Sequence, residues 1–124
     1  MKMLLGMGGS DDSFRALKDT LDRVEETGDE LVVAVVENPE AENDAEEVAE
    51  HVRESIEEHE ASEGVEVVML EGHPGSAIVE HAESGGYDEI VLGGGERSAM
   101  GKIQMGHIAE FVLLNSHVTV KLVR

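Results

Sequence analysis

Residues 31–36 read Leu-Val-Val-Ala-Val-Val, six apolar positions in a row, four of them β-branched. A strand with one wet face alternates apolar and polar side chains. An unbroken run of this length fits a strand covered on both sides, as in a parallel sheet flanked by helices. The rest of the chain agrees with that requirement. Lys2–Met7, Val65–Leu70, Glu89–Leu92 and Val118–Val123 read as four more short strands. Between them, apolar residues recur at helical spacing. Phe14, Leu17, Leu21 and Val24 form one stripe ending near Gly28. Val48, Val52 and Ile56 form a second, within 45–61, and Ile78, Val79 and Ala82 a third, within 76–84. Ile108, Phe111, Val112 and Asn115 share one side of a helix opened by Gly106. Strands and helices alternating with short connections predict an α/β fold. The expected arrangement is a single, doubly wound, mainly parallel five-stranded sheet with helices on both faces, taken in the order 3-2-1-4-5. Ligands of such sheets bind at the carboxyl ends of strands where the strand order reverses, here between strands 1 and 4.

At 124 residues the chain is read as one domain, 1–124, without repeat, linker or low-complexity tract. Aromatic residues are 2% of the chain, so the core must be aliphatic. The absence of Cys excludes a disulfide scaffold, a thiolate zinc site and a thiol nucleophile. No apolar run reaches the ~20 residues of a membrane span, and the first residues run straight into a strand, so the cytoplasm is the expected compartment. The formal net charge of −19 repels phosphate backbones and anionic membranes, which argues against nucleic-acid and membrane-surface roles. The acids are spread over amphipathic elements, unlike an acidic tail. With only four Lys in the chain, they read as the halophilic surface of a protein from a salt-rich cytoplasm.

The stretch from Gly93 to His107 carries the strongest functional signal. Gly93-Gly94-Gly95 follows a strand, a loop is expected to about Met105, and Gly106 opens a helix. Backbone N–H groups and a helix N-terminus would thereby face an anion, with Arg97 and Lys102 inside the loop. A plain long connection with Gly as filler is the competing reading, although a structureless loop of this length is uncommon in so small a domain. It is not a P-loop, since Glu96 and Ile103 stand where Gly and Ser or Thr are required. Gly6-Met7-Gly8 is not a dinucleotide fingerprint, because Asp11 occupies the third glycine position. Asp11 and Asp12 read as helix N-capping residues rather than as a phosphorylation site. The six His residues form no i,i+4 pair, so no metal site is assigned. Neither Ser10 nor Ser98 has a visible partner base, and no catalytic residue is assigned. Met3, Met7, Met69, Met100 and Met105 read as core or loop packing.

Taken in order, these segments resemble the universal stress proteins. Met3–Ser10 followed by Ser13-Phe14-Arg15-Ala16-Leu17 is similar to that family's opening, usually Val-Asp-Gly-Ser and then Ser-x-x-Ala-Leu. Gly72-His73-Pro74-Gly75-Ser76-Ala77-Ile78 resembles its Gly-x-Pro-x-x-x-Ile turn and helix. Tyr87–Gly93 resembles its Asp-Leu-Ile-Val-Met-Gly strand, and Gly106–Leu113 its Gly-Ser-Val-Ala-Glu-x-Val-Leu helix. Val118–Val123 stands where the family usually has Cys-Pro-Val-x-Val-Val. The match runs the length of the chain.

The resemblance implies a site at Met7, Gly8, Val36, Gly93, Gly94, Arg97, Lys102, Gly106 and His107. Nucleotide-binding members carry Gly-x-x-Gly, nine residues, then Gly-Ser or Gly-Thr. This chain keeps Gly93 and Gly106 but has Glu96 for the second glycine and His107 for the hydroxyl. It also has Gly8 where those members place the Asp that meets adenine. Val36, at the position that lines the adenine, stays apolar. A carboxylate in place of glycine opposes a phosphate and blocks close backbone approach. The implied function is a non-enzymatic, homodimeric stress-response domain joined through its C-terminal strand, with ATP or AMP bound weakly or not at all. A nucleotide-dependent switch with slow hydrolysis and an acidic module that docks a protein partner are the alternatives.

Overall fold

The computed structural model describes residues 1–39, 41, 43–59, 62–94, 96–97, 103–104 and 106–124, and at 62, 96, 97, 103 and 104 only the backbone. The chain forms β1 (Lys2–Met7), α1 (Asp11–Thr27), β2 (Glu30–Val36), α2 (Ala45–Glu57), a short 3-10 turn (Ser62–Gly64) and β3 (Val65–Leu70). It continues as α3 (Pro74–Ser84), β4 (Glu89–Gly93), β5 (Glu96–Arg97), β6 (Ile103–Gln104), α4 (His107–Asn115) and β7 (Thr119–Val123). The main sheet is parallel, in the order β3-β2-β1-β4-β7; this is the α/β architecture the alternation predicts, in the expected strand order 3-2-1-4-5.

The apolar run is explained by its place in the sheet. In β2, Leu31–Val36 are all buried, flanked by β1 and β3. Odd-numbered Leu31, Val33 and Val35 face one core with the stripes of α1 and α2. Val32, Ala34 and Val36 face the other, with α3 and α4. Each face of the sheet thus buries one pair of helices, and the period-two alternation of the strand supplies both. On the second face α3 and α4 approach closely. A Cβ at Gly75 would fall 2.5 Å from the Phe111 ring, so only glycine admits that contact.

Three local expectations are corrected. The connection after β4 is not structureless, because Glu96 and Arg97 pair antiparallel with Gln104 and Ile103 as a small ladder. An extended β-branched Ile103 opposite an extended Arg97 suits such pairing. The N-cap of α1 is Ser10, whose hydroxyl accepts from the Ser13 N–H at 3.2 Å. Asp11 and Asp12 lie in the first turn, where a carboxylate complements the helix dipole without capping. Met69 is not a packing residue: it is 45% exposed on the edge strand β3, while Met3 and Met7 are fully buried. Met100 and Met105 fall outside the described residues.

Candidate functional site

Strand order reverses between β1 and β4, and the loops leaving these two strands diverge to the two faces of the sheet. They leave a cleft of about 870 Å³ at the carboxyl ends. Its walls are the turn from Gly8 into α1, Asn38 and Pro39 after β2, and His73–Gly75 at the start of α3. Gly93 at the end of β4, Gly94 after it, the first residues of α4, and Ala41, Asn43 and His51 also line it.

Of the residues singled out from sequence, Gly8, Gly93, Gly94, Gly106 and His107 line this cleft together. Met7 and Val36 do not. Their side chains are 0% and 2% exposed and point into the two cores on opposite faces of the sheet. Both end their strands, and it is Gly8 and Asn38, just beyond them, that line the cleft. Arg97 is in β5 by its backbone, and its side chain lies outside what the structure describes. Lys102 is outside the described residues altogether, as is Ser98.

The glycines have separate reasons. At Gly93 a Cβ would run into the backbone carbonyl group of Asp12, so the end of β4 packs directly on the start of α1. Gly94 has φ 141°, a conformation side chains rarely adopt, and its N–H donates to the Val123 carbonyl at 3.0 Å. That amide is therefore committed to the sheet and not available to a ligand.

Helix starts differ in a way that matters here. Ser10 caps α1, Asp44 caps α2 by accepting from Glu47 N–H at 2.9 Å, and the His73 ring caps α3. At α4 the N-cap is Gly106, and among the described residues no side chain caps the helix. The first turn of α4 thus presents backbone N–H groups and positive dipole to the cleft. The side-chain electrostatics run the other way. Among the described lining residues there is no Lys or Arg, while Asp11 and Asp12 both line the cleft. Arg15 pairs with Asp12 at 3.2 Å on an exposed surface.

Sequence reasoning passed over Asn38 and His73. Asn38 Nδ2 donates to the Gly8 carbonyl at 3.2 Å and ties the loop after β2 to the loop after β1. Its signal was available, since Asn-Pro stands just beyond a buried strand on the ligand side. His73 Nδ1 accepts from the Ser76 N–H at 3.1 Å, and the ring packs on Phe111 with centroids 4.7 Å apart. That role follows from its position one residue before the Pro that starts α3.

Against known proteins, the model of the universal stress protein family matches residues 1–124. The chain belongs to the universal stress protein family. A curated universal stress protein of Methanocaldococcus jannaschii is 41% identical over 56 residues, 45% of this chain and 33% of the relative. The match thus spans about a third of that relative's length. Among solved structures, a universal stress protein from Archaeoglobus fulgidus superposes with a TM-score of 0.77 at 22% identity, covering 99% of this chain and 97% of that one. A universal stress protein in complex with cAMP gives a TM-score of 0.75 at 22% identity, with 100% and 96% covered. At these identities the superpositions show the universal stress protein fold.

Elsewhere on this universal stress protein domain, polar clusters serve as ties between elements. His59 Nε2 lies 2.9 Å from Asp22 Oδ1 and 3.4 Å from Glu25 Oε2, linking the end of α2 to α1. At the amino ends of the strands, Lys2 Nζ lies 4.4 Å from the Tyr87 ring centroid, and burial, with Glu66 and Glu30 adding, raises the Tyr87 phenol above its usual pKa. No helix among the described residues is long and apolar enough to cross a membrane.

Proposed function

We propose that this chain is a non-enzymatic stress-response domain whose cleft holds an adenine nucleotide, AMP or ATP, only weakly. The observation that carries this reading is the make-up of the cleft. It has the glycine walls and uncapped helix start suited to a phosphate, yet no Lys or Arg among its described lining residues. Backbone donors alone supply part of the attraction. Asp11 and Asp12 on the same wall oppose an anion, and Gly8, Glu96 and His107 depart from the pattern of nucleotide-binding members. The fold neighbour solved with cAMP supports an adenine nucleotide as the ligand class. The acidic surface supports a salt-rich cytoplasm as the working compartment.

Assembly belongs to the same reading. β7 is an edge strand; Val120 and Leu122 on it and Val118 just before it are half-buried. On α4, just before it, Leu113 and Leu114 are 40% and 76% exposed. An open edge beside exposed apolar side chains favours a C2 homodimer through β7. Native mass spectrometry of the protein as purified tests both parts. The expected spectrum is a dimer with little or no retained nucleotide. A nucleotide retained at full occupancy would favour the switch with slow hydrolysis, and a monomer would remove the β7 interface.

A further inference from the structure

The sheet has a second edge, β3, and its surroundings differ from those of β7. Its six residues, Val-Glu-Val-Val-Met-Leu, include neither Pro nor Lys, and Glu66 is the one charged side chain on the strand. Among the described residues, β3 makes backbone ladder contacts only with β2, so its outer N–H and C=O groups have no backbone partner. Beside this edge runs a groove walled by α2. Glu46, Glu50, Glu54 and Glu57 follow one another at spacings of four, four and three, which places them on one helical stripe. Arg53 shares the groove, whose four carboxylates and one guanidinium leave a net −3. Ala49 and Met69, the latter 45% exposed, complete the lining.

We propose that the outer edge of β3 docks an extended segment of a partner protein in which basic and apolar residues alternate. The alternation follows from the two faces of β3. Val65 and Val67, and with them Met69, lie on the α2 side, whereas Val68 and Leu70 lie on the α3 side. A strand added to this edge puts every second side chain on the α2 side. There a Lys or Arg stem covers Met69 while its head reaches the Glu stripe. The intervening side chains continue the row of Val68 and Leu70, whose first member is Glu66. Charge complementarity decides the occupant: a second copy of this chain would bring two Glu stripes together across the same edge. Backbone pairing supplies affinity and the alternating side chains supply specificity, the logic of strand addition. This docking is independent of what the cleft binds.

The test uses a fluorescein-labelled octapeptide of four Lys-Val repeats and a second peptide of identical composition arranged as Lys-Lys-Val-Val twice, read by fluorescence anisotropy. The alternating peptide should bind at least tenfold more tightly than the rearranged one. Met69→Lys, and separately the pair Glu50→Lys and Glu54→Lys, should each weaken it at least tenfold. These positions are exposed, and circular dichroism checks that each variant stays folded. Equal binding of the two peptides would reduce the effect to bulk charge and overturn the proposal, as would unchanged binding by Met69→Lys. A drop in molar mass of Met69→Lys by light scattering would assign the edge to a second copy and overturn it equally.

Discussion

The two ends of the parallel sheet are built from different chemistry. At the amino ends the elements are tied by charge. The Lys2 N–H donates to Asp88 Oδ2 at 2.8 Å, the Asp88 N–H returns to the Lys2 carbonyl at 2.8 Å, and Lys2 Nζ reaches the Gly85 carbonyl at 3.3 Å. Arg23 stands between Asp29 at 3.8 Å and Glu89 at 3.9 Å. The N-terminal ammonium and the Thr27 hydroxyl beside Asp29 hold its carboxyl below the usual range. At the carboxyl ends, cations are missing from the described cleft walls, and glycine backbone takes their place. In a chain of nine Lys and Arg against 28 acids, that placement decides what each end can do. The closed end fixes the strands. Among the described residues, the open end offers shape and backbone donors but no Lys or Arg to hold an anion.

If that division is right, changes at the open end fall into two kinds. Gly93→Ala should cost about 3 kcal/mol in urea unfolding, because the new methyl meets the Asp12 backbone rather than a side chain that can turn away. Among the described residues nothing lies within 4 Å of a Cβ at Gly106, so Gly106→Ala should cost only the poorer N-capping of Ala, about 1 kcal/mol or less. Equal costs at the two positions would mean that the β4–α1 contact is not the floor of the cleft.

Salt sharpens the contrast in the opposite sense. Screening weakens the ties at the closed end and relieves the self-repulsion of the remaining surface, and with a net of −19 the second effect should prevail. Melting temperature should rise from about 0.1 M to about 2 M KCl, by roughly 4 °C for each 1 kcal/mol restored. A melting curve indifferent to KCl would remove the halophilic reading.

A smaller effect is expected at the closed end. Arg23→Ala leaves Glu89, whose Oε1 has no hydrogen-bond partner among the described residues, without the cation beside it. The arginine is partly exposed, so the loss should be about 1 kcal/mol, read by urea unfolding. Nucleotide affinity should not change. A change in affinity would mean that the two ends are coupled through the sheet.

The architecture was legible because each strand and each helical stripe carried its own period; the strand order was not, since alternation alone also admits other doubly wound orders. The run 31–36 announced a doubly covered strand, and the structure buries every residue of it. The cleft was legible only in part. Gly8, Gly93, Gly94, Gly106 and His107 stood at strand and helix ends, where position along the chain determines position in space. Met7 and Val36 were placed correctly along the chain, but which face a strand residue buries depends on packing from both sides of the sheet. The β5–β6 ladder was missed because two residues per strand give too short a pattern to show a period. Asn38 was missed because its signal, Asn-Pro just beyond a buried strand, is positional and carries no period.

The central claim is that the weakness of the cleft comes from its side chains and not from the fold. Isothermal titration calorimetry with ATP and AMP in about 1 M KCl tests it directly, on the wild type and on Glu96→Gly, His107→Ser and their combination. Gly8→Asp is added last, because a Cβ there lies 3.1 Å from Asn38 Nδ2 and 3.3 Å from Ile108 Cδ1, and both must shift to admit it. The wild type should bind in the millimolar range or weaker. A like charge at ~4 Å costs about 1–4 kcal/mol, so Glu96→Gly should give the largest single gain, tenfold or more. Micromolar binding by the unmodified protein, or a combined variant that gains nothing, would contradict the account.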